Sequence, residues 1–429
     1  MTARISAFIK KLKGSDFIRN SVVMSAGSGI SQFIPILVIP VLTRIYTPEE
    51  IGGLAAFIAL FAILSIVAGG RYEYAVIMPE DDRTGVRLLQ IAATLSILSG
   101  AVLFVIITLF GEPISHALGV PFLVPWLWLL PLAITAQGLF MTFSFGLNRM
   151  KSYRDISAGK VSQTGSTALI QILTGLSGWG LAGLVIGKTA GVIVSAFWLV
   201  ASLAKKAPEF FERERPNDLR STALEYANYP KYNAPHAFTT NVSNNLPVIL
   251  FVSFFTEAIA GFYAMAIRAS LAPVQIISTA TGQVLGKRLA EKKHSGDDLH
   301  AYVKKVIFYF ALLGLIPFGL LFIAGPAVFG FVLGSEWAIT GVYVRIIIPF
   351  VFLTFVTQPL SYIPLLFDQQ KKAFGIYLVS LVLRMSGIFT GIVMDSFYLS
   401  LALYSLTGVI VLLYHLYWYL SLCKSPSPG

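Results

Sequence analysis

Long apolar runs separated by short polar segments occupy most of the chain from residue 20 onward. Twelve of these runs are long enough for a helix across the hydrocarbon core of a membrane, which needs roughly 20 residues. They lie at 20–43, 51–70, 87–110, 122–146, 156–177, 181–203, 234–255, 258–285, 303–324, 340–366, 374–394 and 397–421. The pattern predicts an all-α membrane protein with about twelve transmembrane helices. The run at 156–177 is the weakest, because Ser, Thr, Gln and Gly interrupt it.

Composition points to lipid as the solvent of this chain. Of its 429 residues, 56% are hydrophobic and 12% are charged, whereas a soluble domain is about one quarter charged. The single cysteine, Cys423, allows no disulfide framework and no thiolate metal site. His294 and His300 flank Asp297 and Asp298, but such a segment is more typical of a solvated polar turn. We therefore expect no metal and no cofactor.

The charge distribution predicts the orientation in the membrane. If the N-terminus is cytoplasmic, 27 of the 32 Lys and Arg residues fall in cytoplasmic segments, and only Arg44 lies in an outside loop. By the positive-inside rule, both termini are then cytoplasmic. The net charge of +11 faces anionic lipid and does not indicate nucleic-acid binding, because the chain has no folded basic domain.

Three segments are predicted along the chain. Residues 1–204 form an N-terminal six-helix lobe, 205–233 form a cytoplasmic linker, and 234–429 form a second six-helix lobe. The first 19 residues lack the small-residue cleavage site of a signal peptide. Their apolar residues have helical spacing beside several cations, so 1–19 is predicted to begin with a short helix on the inner membrane surface.

A short internal similarity suggests that the two halves are repeats. "TPEEIGGLAAF" from Thr47 and "TEAIAGFYAMA" from Thr256 both place a glycine five residues after the threonine. With this offset of 209 residues, Gln32 pairs with Asn241, and both become candidate substrate-binding residues. A match this short also arises by chance. If it is real, the halves share one topology and enclose a central cavity.

Four cations interrupt the apolar runs, whereas the acids lie in polar segments or at helix ends. The cations are Lys188, Arg268, Arg345 and Arg384. Each costs about 2.5–3.5 kcal/mol at the bilayer centre, so an anionic ligand is the simplest counter-ion. Other interpretations stay open: Arg345 and Lys188 are near enough to a helix end to reach headgroups, and Arg384 could stabilise helix packing.

Arg268 is the strongest candidate for a substrate contact. Gln275 follows seven residues later and therefore shares its helix face. In the preceding run, Asn241, Asn244 and Asn245 cluster at helical spacing, although such amides also join helices to one another. Guanidinium groups bind phosphate and amides bind sugar hydroxyls, so this set suits a pyrophosphate-linked sugar lipid.

The phrase "GRYEYAVIMPEDD", residues 70–82, ends the second predicted helix at the cytoplasmic surface. Arg71 can reach lipid phosphates or a substrate pyrophosphate there, while Tyr72 and Tyr74 are residue types typical of the membrane interface. Glu73 has three possible roles: a structural cap paired with Arg71, a substrate gate, or a proton-coupling acid.

Four phrases occur in an informative order. They are "LTRIYTPEEIGGLAAF" after the first helix, "GRYEYAVIMPEDD" after the second, "LNRMKSYRDIS" after the fourth and "FGFVLGSEWAITGVYVRI" before the tenth. On these phrases the chain resembles the O-antigen and capsule oligosaccharide flippases of the multidrug/oligosaccharidyl-lipid/polysaccharide exporter superfamily. The resemblance implies two six-helix lobes, a central cationic cavity, alternating access and export of undecaprenyl-diphosphate-linked oligosaccharide across the bacterial inner membrane. It also implies basic cavity residues, for which Arg268 and Lys188 are candidates.

Two other functions remain as alternatives. A multidrug antiporter of the same superfamily favours buried carboxylates, which the first predicted helix lacks. A membrane polymerase or glycosyltransferase needs acid/base carboxylates on a sizeable loop, and the predicted outside loops are short. "GXXXXGK[ST]" is absent, so ATP hydrolysis is not expected. We expect a monomeric transporter, not an enzyme, whose partners are a lipid-linked oligosaccharide, membrane lipids and, as a candidate, a polysaccharide polymerase.

Overall fold

The computed structural model describes residues 16–212 and 214–424, and these fold into helices joined by short turns. The first six long helices are α1 (Asp16–Ile45), α2 (Pro48–Leu64), α3 (Asp82–Ala117), α4 (Leu129–Arg149), α5 (Tyr153–Leu176) and α6 (Leu181–Lys206). A short α7 (Pro216–Glu225) precedes α8 (Ala234–Phe254), α9 (Glu257–Ser295), α10 (Leu299–Leu333), α11 (Ala338–Thr357), α12 (Gln370–Val393) and α13 (Phe397–Leu422). Each of the twelve predicted runs overlaps one of the long helices. The predicted surface helix falls on residues 1–15, outside these ranges.

Nine segments of the described chain are long and apolar enough to cross a membrane, so the protein is a multi-pass membrane protein. They are Pro48–Val67, Asp82–Ala117, Leu129–Arg149, Leu181–Lys206, Glu257–Ser278, Leu299–Leu333, Ser335–Leu366, Gln370–Val393 and Phe397–Leu422. The other three predicted spans correspond to α1, α5 and α8. In α1, the shorter segment Gly29–Ile45 is apolar, while α5 is rich in Ser, Thr and Gln and α8 in Asn and Thr.

The chain divides into two compact units, the first ending at Ser253 and the second beginning at Phe254. The first unit contains α1–α7 and nearly all of α8, and the second contains α9–α13. The predicted lobe bounds, 1–204 and 234–429, stay a prediction.

The segment predicted as a linker is attached to the first unit. Arg87 of α3 forms ion pairs with Glu214 (Nε to Oε2, 3.0 Å) and Asp218 (Nη2 to Oδ2, 3.4 Å). Tyr72 adds a hydrogen bond from its hydroxyl to the Ala223 carbonyl of α7, at 2.9 Å. These contacts fix α7 and its preceding turn against the region that follows α2.

The two halves of the chain repeat the same order of helices. Helix lengths agree closely for α3 and α10 (36 and 35 residues), α4 and α11 (21 and 20), α5 and α12 (24 each), and α6 and α13 (26 each). Both segments of the sequence similarity start a helix with a threonine cap, Thr47 for α2 and Thr256 for α9. The largest difference is between α2, with 17 residues, and α9, with 39.

Helix α5 can be polar because α6 and the α1–α2 corner satisfy its buried groups. The Gln171 amide donates to the Leu184 carbonyl at 2.9 Å, and the Tyr46 hydroxyl donates to the Gln171 carbonyl at 2.6 Å. A Cβ at Gly187 would lie 2.6 Å from Gln171 Cγ, so this glycine permits the close approach of α6 to α5.

Candidate functional site

The first part of the "GRYEYAVIMPEDD" phrase, up to Val76, forms a largely buried charged turn, not the end of a regular helix, and the rest of the phrase is mostly exposed. Helix α2 ends at Leu64, six residues before the predicted end, and two short 3₁₀ segments follow, Ser65–Val67 and Tyr72–Ala75. Between them Gly70 and Arg71 both have left-handed backbone conformations, with φ of 60° and 64°. Such a φ is uncommon for a residue other than glycine, and here it reverses the chain. The reversal places the Glu73 side chain inside the first unit.

Glu73 is a buried carboxylate with one weak charged partner. Its residue is 4% exposed, and Oε1 lies 4.0 Å from Arg71 Nη1. Within the described residues, Oε2 has no hydrogen-bond partner, and a Cβ at Gly69 would lie only 2.6 Å from it. Burial raises the pKa of Glu73, and this effect outweighs the lowering by hydrogen bonds and by Arg71. The turn therefore holds a carboxyl group that retains its proton more readily than a surface glutamate.

Arg71 is held by its own turn. Its Nη1 donates to the Tyr74 hydroxyl at 3.0 Å, and the guanidinium lies 5.1 Å from the centroid of the Tyr74 ring. The Tyr74 ring in turn packs against Phe145 of α4, at 4.8 Å between centroids. Tyr72 is buried and bonded to α7. The position of the two tyrosines at the membrane interface stays a prediction.

Arg149, at the end of α4, clamps the chain that follows this turn. It donates to the carbonyls of Val76 (3.1 Å), Pro79 (2.7 Å) and Asp81 (2.9 Å), and to Asp82 Oδ1 (2.9 Å). A guanidinium can satisfy several acceptors at once because its donors form a rigid planar fork. The sequence analysis missed this residue. The available signal was that "LNRMKSYRDIS" places an arginine at a helix end on the same predicted membrane side.

Arg268 differs from the other cations at membrane depth. It lies eleven residues into α9, or about 17 Å along the helix, which is close to half of the roughly 30 Å hydrocarbon core. The side chain is half-buried and makes no hydrogen bond or ion pair with any residue in 16–212 or 214–424. A charged group at this depth needs water or an anion.

Arg384 is enclosed by aromatic side chains of the second unit. Its Nη2 donates to the Tyr404 hydroxyl, and its guanidinium lies 4.1 Å from the Tyr404 ring centroid and 4.7 Å from that of Phe350. Cation–π contacts of this kind stabilise a desolvated guanidinium. The geometry favours the packing interpretation of Arg384 over a ligand contact.

Arg345 and Lys188 also contact protein groups. Arg345 is exposed and donates through Nη2 to the Ile323 carbonyl, while Lys188 Nζ lies 5.1 Å from the ring centroid of Phe61. Three of the four cations in the apolar runs therefore contact carbonyl, hydroxyl or aromatic groups of the protein. Their role in substrate binding stays a prediction.

The candidate amides are divided between helix contacts and exposed positions. Asn241 donates to the Ala237 carbonyl at 3.0 Å, and Asn245 donates to the Asn241 carbonyl at 2.9 Å, both within α8. Gln32 and Gln275 are exposed side chains on α1 and α9. The structure brings Arg71 and Glu73 together, and it places Gln275 two turns after Arg268 on the same helix.

Comparison of the sequence with known families decides the identity of the chain. Residues 41–340 match the polysaccharide biosynthesis protein family, which is more than half of the chain. The chain belongs to this family. It is similar to the succinoglycan biosynthesis transport protein ExoT of Rhizobium meliloti (strain 1021), with 25% identity over 328 residues. The alignment covers 74% of this chain and 62% of that protein, so the chain spans about three fifths of its relative.

Solved structures of transporters share the fold of this family member. The lipid II flippase MurJ in an inward closed conformation matches with a TM-score of 0.73 and 13% identity, over 92% of this chain and 87% of that one. An inward-facing multidrug resistance transporter of the MATE family and MOP superfamily matches with a TM-score of 0.71 and 13% identity, over 92% and 96%. The family match confirms the resemblance to polysaccharide biosynthesis proteins inferred from the sequence, and these structures show that the chain has the fold of such transporters.

The phrases that carried the resemblance serve as structural junctions in this family member. Thr47 and Glu50 form a reciprocal capping box at the start of α2. Trp337, from the last phrase, is 1% exposed and packs edge-on against Phe262, with 5.4 Å between ring centroids. Together with the Arg149 clamp, these contacts fix the ends of helices. Arg268 belongs to none of the four phrases.

Proposed function

We propose that this protein is a flippase for an undecaprenyl-diphosphate-linked oligosaccharide, an O-antigen or capsule repeat unit. It moves this lipid from the cytoplasmic to the outer leaflet of the bacterial inner membrane. Membership of the polysaccharide biosynthesis family supports the proposal. The name of the similar transport protein, which refers to succinoglycan biosynthesis, and the fold shared with a lipid II flippase agree with it.

The proposed architecture has twelve spans in two six-helix lobes around a central cationic cavity. Nine segments satisfy the length and hydropathy of a span, and α1, α5 and α8 complete the twelve. Polar helices such as α5 and α8 are tolerated in a membrane when they face protein or water. The Lys and Arg distribution supports cytoplasmic termini.

Arg268 is the observation that carries this proposal. A guanidinium at mid-membrane depth costs about 2.5–3.5 kcal/mol unless it is compensated, and the described protein supplies no counter-ion. A diphosphate offers several anionic oxygens to its donors, and charge-assisted bonds of this kind are the strong ones. Gln275, two turns later on α9, offers an exposed amide for a sugar hydroxyl.

Transport follows from alternate exposure of this site to the two sides. The diphosphate binds at the inner face, the lobes rock, and the headgroup is released outside. Because the cell interior is negative, moving each net negative charge outward gains roughly 2.3 kcal/mol per 100 mV. Proton coupling through Glu73 is the second source of drive, supported by the burial of its carboxyl group.

The test compares two arginine variants in a strain that lacks the chromosomal gene. Arg268→Ala should reduce polysaccharide export at least about tenfold, the factor for about 1.4 kcal/mol, and cause the lipid-linked intermediate to accumulate. Arg44→Gln is the matched control, because Arg44 is exposed, already bonded to the Pro40 carbonyl and not a candidate for substrate binding. At equal membrane abundance, parental export by Arg268→Ala would remove the main site assignment.

A multidrug antiporter is the second candidate function. The fold shared with MATE transporters and the buried acid Glu73 favour it. Ethidium efflux from the deletion strain and its complemented parent decides between the two. Efflux that depends on the gene, without any change in lipid-linked intermediates, would replace the flippase proposal.

A further inference from the structure

A groove of about 630 Å³ lies between α12 and α13 in the second unit. Its walls include Gly375, Val379 and Leu383 from α12, and Ile410 and Tyr414 from α13. The groove is open along its side, since Val379 is 56% exposed and Ile410 is 54% exposed. A Cβ at Gly375 would meet no heavy atom within 4 Å, so this glycine leaves room in the groove.

The length of the groove corresponds to one leaflet of a bilayer. Along α12 it runs from Lys372 to Leu383, a separation of eleven residues, or about 17 Å. Half of the roughly 30 Å hydrocarbon core is about 15 Å. An undecaprenyl chain is much longer than this, whereas the acyl chain of an ordinary phospholipid has the length of a leaflet.

Charge is confined to one end of the groove. Lys372 is the one charged residue among those that line it, and its Nζ lies 5.2 Å from the ring centroid of Trp418. Lys371, its neighbour at the start of α12, does not line the groove. At the other end, Arg384 follows Leu383 but is enclosed by Phe350 and Tyr404, so it does not contribute a free cation.

We propose that this groove binds an acyl chain of an anionic glycerophospholipid of the cytoplasmic leaflet, with Lys372 at the lipid phosphate. The apolar walls cannot select a lipid by hydrophobicity alone, because bulk lipid tails are equally apolar. Selection comes from the fit of one chain to the groove and from the ammonium group at its mouth. The site is separate from Arg268 and does not depend on the identity of the transported sugar.

Native mass spectrometry of the purified full chain tests this site. The protein is equilibrated with micelles that contain palmitoyl-oleoyl phosphatidylglycerol and phosphatidylcholine, and the retained lipids are counted. The parent should retain one phosphatidylglycerol in preference to phosphatidylcholine. Lys372→Gln should reduce that preference about fivefold, as expected for about 1 kcal/mol per cation near an anionic lipid.

Groove-filling variants separate this site from the general lipid shell. Val379→Trp and, independently, Ile410→Trp should abolish retention of both lipids, provided that gel filtration shows a monodisperse protein. Two matched controls should bind like the parent: Lys371→Gln, a neighbouring cation outside the lining, and Ile316→Trp, a 79% exposed position on α10.

Two results would overturn the proposal. Equal retention by the groove-filling variants and Ile316→Trp would identify the bound lipid as part of the general shell. Displacement of phosphatidylglycerol by equimolar undecaprenyl phosphate, without displacement in the reverse direction, would assign the groove to a polyprenyl chain instead.

Discussion

The second helix of each half begins alike and then differs. Helix α2 and helix α9 both start after a threonine cap, at positions 209 residues apart. Helix α2 stops after 17 residues in a left-handed turn that buries Glu73, whereas α9 continues for 39 residues and carries Arg268 at mid-depth. The turn that follows α2 thus provides a buried acid, whereas α9 provides a cation.

Local sequence explains why only one of the two helices breaks. At the offset of 209, Ser278 and Thr279 of α9 stand where Gly69 and Gly70 stand after α2. A left-handed residue other than glycine costs roughly 1–2 kcal/mol. Gly70 therefore avoids this cost at the first position of the reversal, whereas Arg71 adopts the left-handed conformation without being a glycine. Gly70 and the Arg149 clamp thus stabilise a charged turn in the first half of the chain, where α9 of the second half continues as a helix.

Of the substitutions that test this comparison, removal of the Arg149 clamp should lower the free energy of unfolding most. Arg149→Ala leaves the carbonyls of Val76, Pro79 and Asp81 without their donor and should lower the free energy of unfolding by about 3 kcal/mol. Denaturant unfolding in detergent measures this loss. Arg154→Ala, an exposed arginine of the same phrase, is the control and should stay within about 0.5 kcal/mol of the parent. Equal stability of the two variants would show that the clamp is not needed.

Glycine-to-alanine substitutions should change the free energy of unfolding differently in the two regions. Gly69→Ala places a Cβ 2.6 Å from Glu73 Oε2 and should destabilise the protein by about 1–3 kcal/mol. In α9, a Cβ at Gly282 would lie 3.5 Å from the Tyr362 ring, an ordinary contact, so Gly282→Ala should be neutral or stabilise by up to about 1 kcal/mol. Thermal unfolding of both variants, and of Gly69→Ala combined with Glu73→Ala, provides the test. Failure of the second substitution to relieve the first would contradict the placement of the carboxyl group.

The buried acid should give the first region a pH dependence. Burial raises the pKa of Glu73 in the folded protein above its unfolded value, so the folded state binds the extra proton between the two pKa values. Stability therefore falls as pH rises through this interval, with a slope of at most about 1.4 kcal/mol per pH unit. Glu73→Gln should remove this slope from a series of unfolding curves. An unchanged slope in that variant would assign the titration to another group.

Substitution of the two threonine caps, Thr47 and Thr256, should give the smallest difference in stability between the two regions. Thr47→Ala breaks a reciprocal capping box, whereas Thr256→Ala removes only the bond from Ile259 N–H to the threonine hydroxyl. Each loss should be about 1 kcal/mol, with the larger value for Thr47. Unfolding midpoints of the two variants measure this ranking, and a larger loss for Thr256→Ala would reverse it.

Hydropathy and charge predicted the helical framework because each long helix carries its own signal. The run at 181–203, for example, falls within α6, and the run at 374–394 matches α12 to within a few residues. The early end of α2 and the chain reversal that follows it were not predicted, since the reversal depends on two left-handed residues, Gly70 and Arg71, and on burial of Glu73 by other helices. Short apolar runs carry no information about such tertiary contacts.

The sequence predicted the candidate site less well than it predicted the fold. Arg268 and Arg384 look alike as single cations in apolar runs, but Tyr404 and Phe350 enclose only Arg384. That distinction depends on residues from other helices. The Arg149 clamp was missed for the same reason, because its acceptors are carbonyls about 70 residues earlier in the chain.

The most direct test of the central claim is the affinity of the purified protein for undecaprenyl diphosphate, measured by titration calorimetry for the parent and for Arg268→Gln. If Arg268 binds the diphosphate, the loss of its charged bonds should weaken binding at least about tenfold, the equivalent of about 1.4 kcal/mol. Arg44→Gln, at an exposed arginine outside the candidate site, should bind like the parent. Equal affinities for the parent and Arg268→Gln would contradict the claim that this arginine recognises the anion.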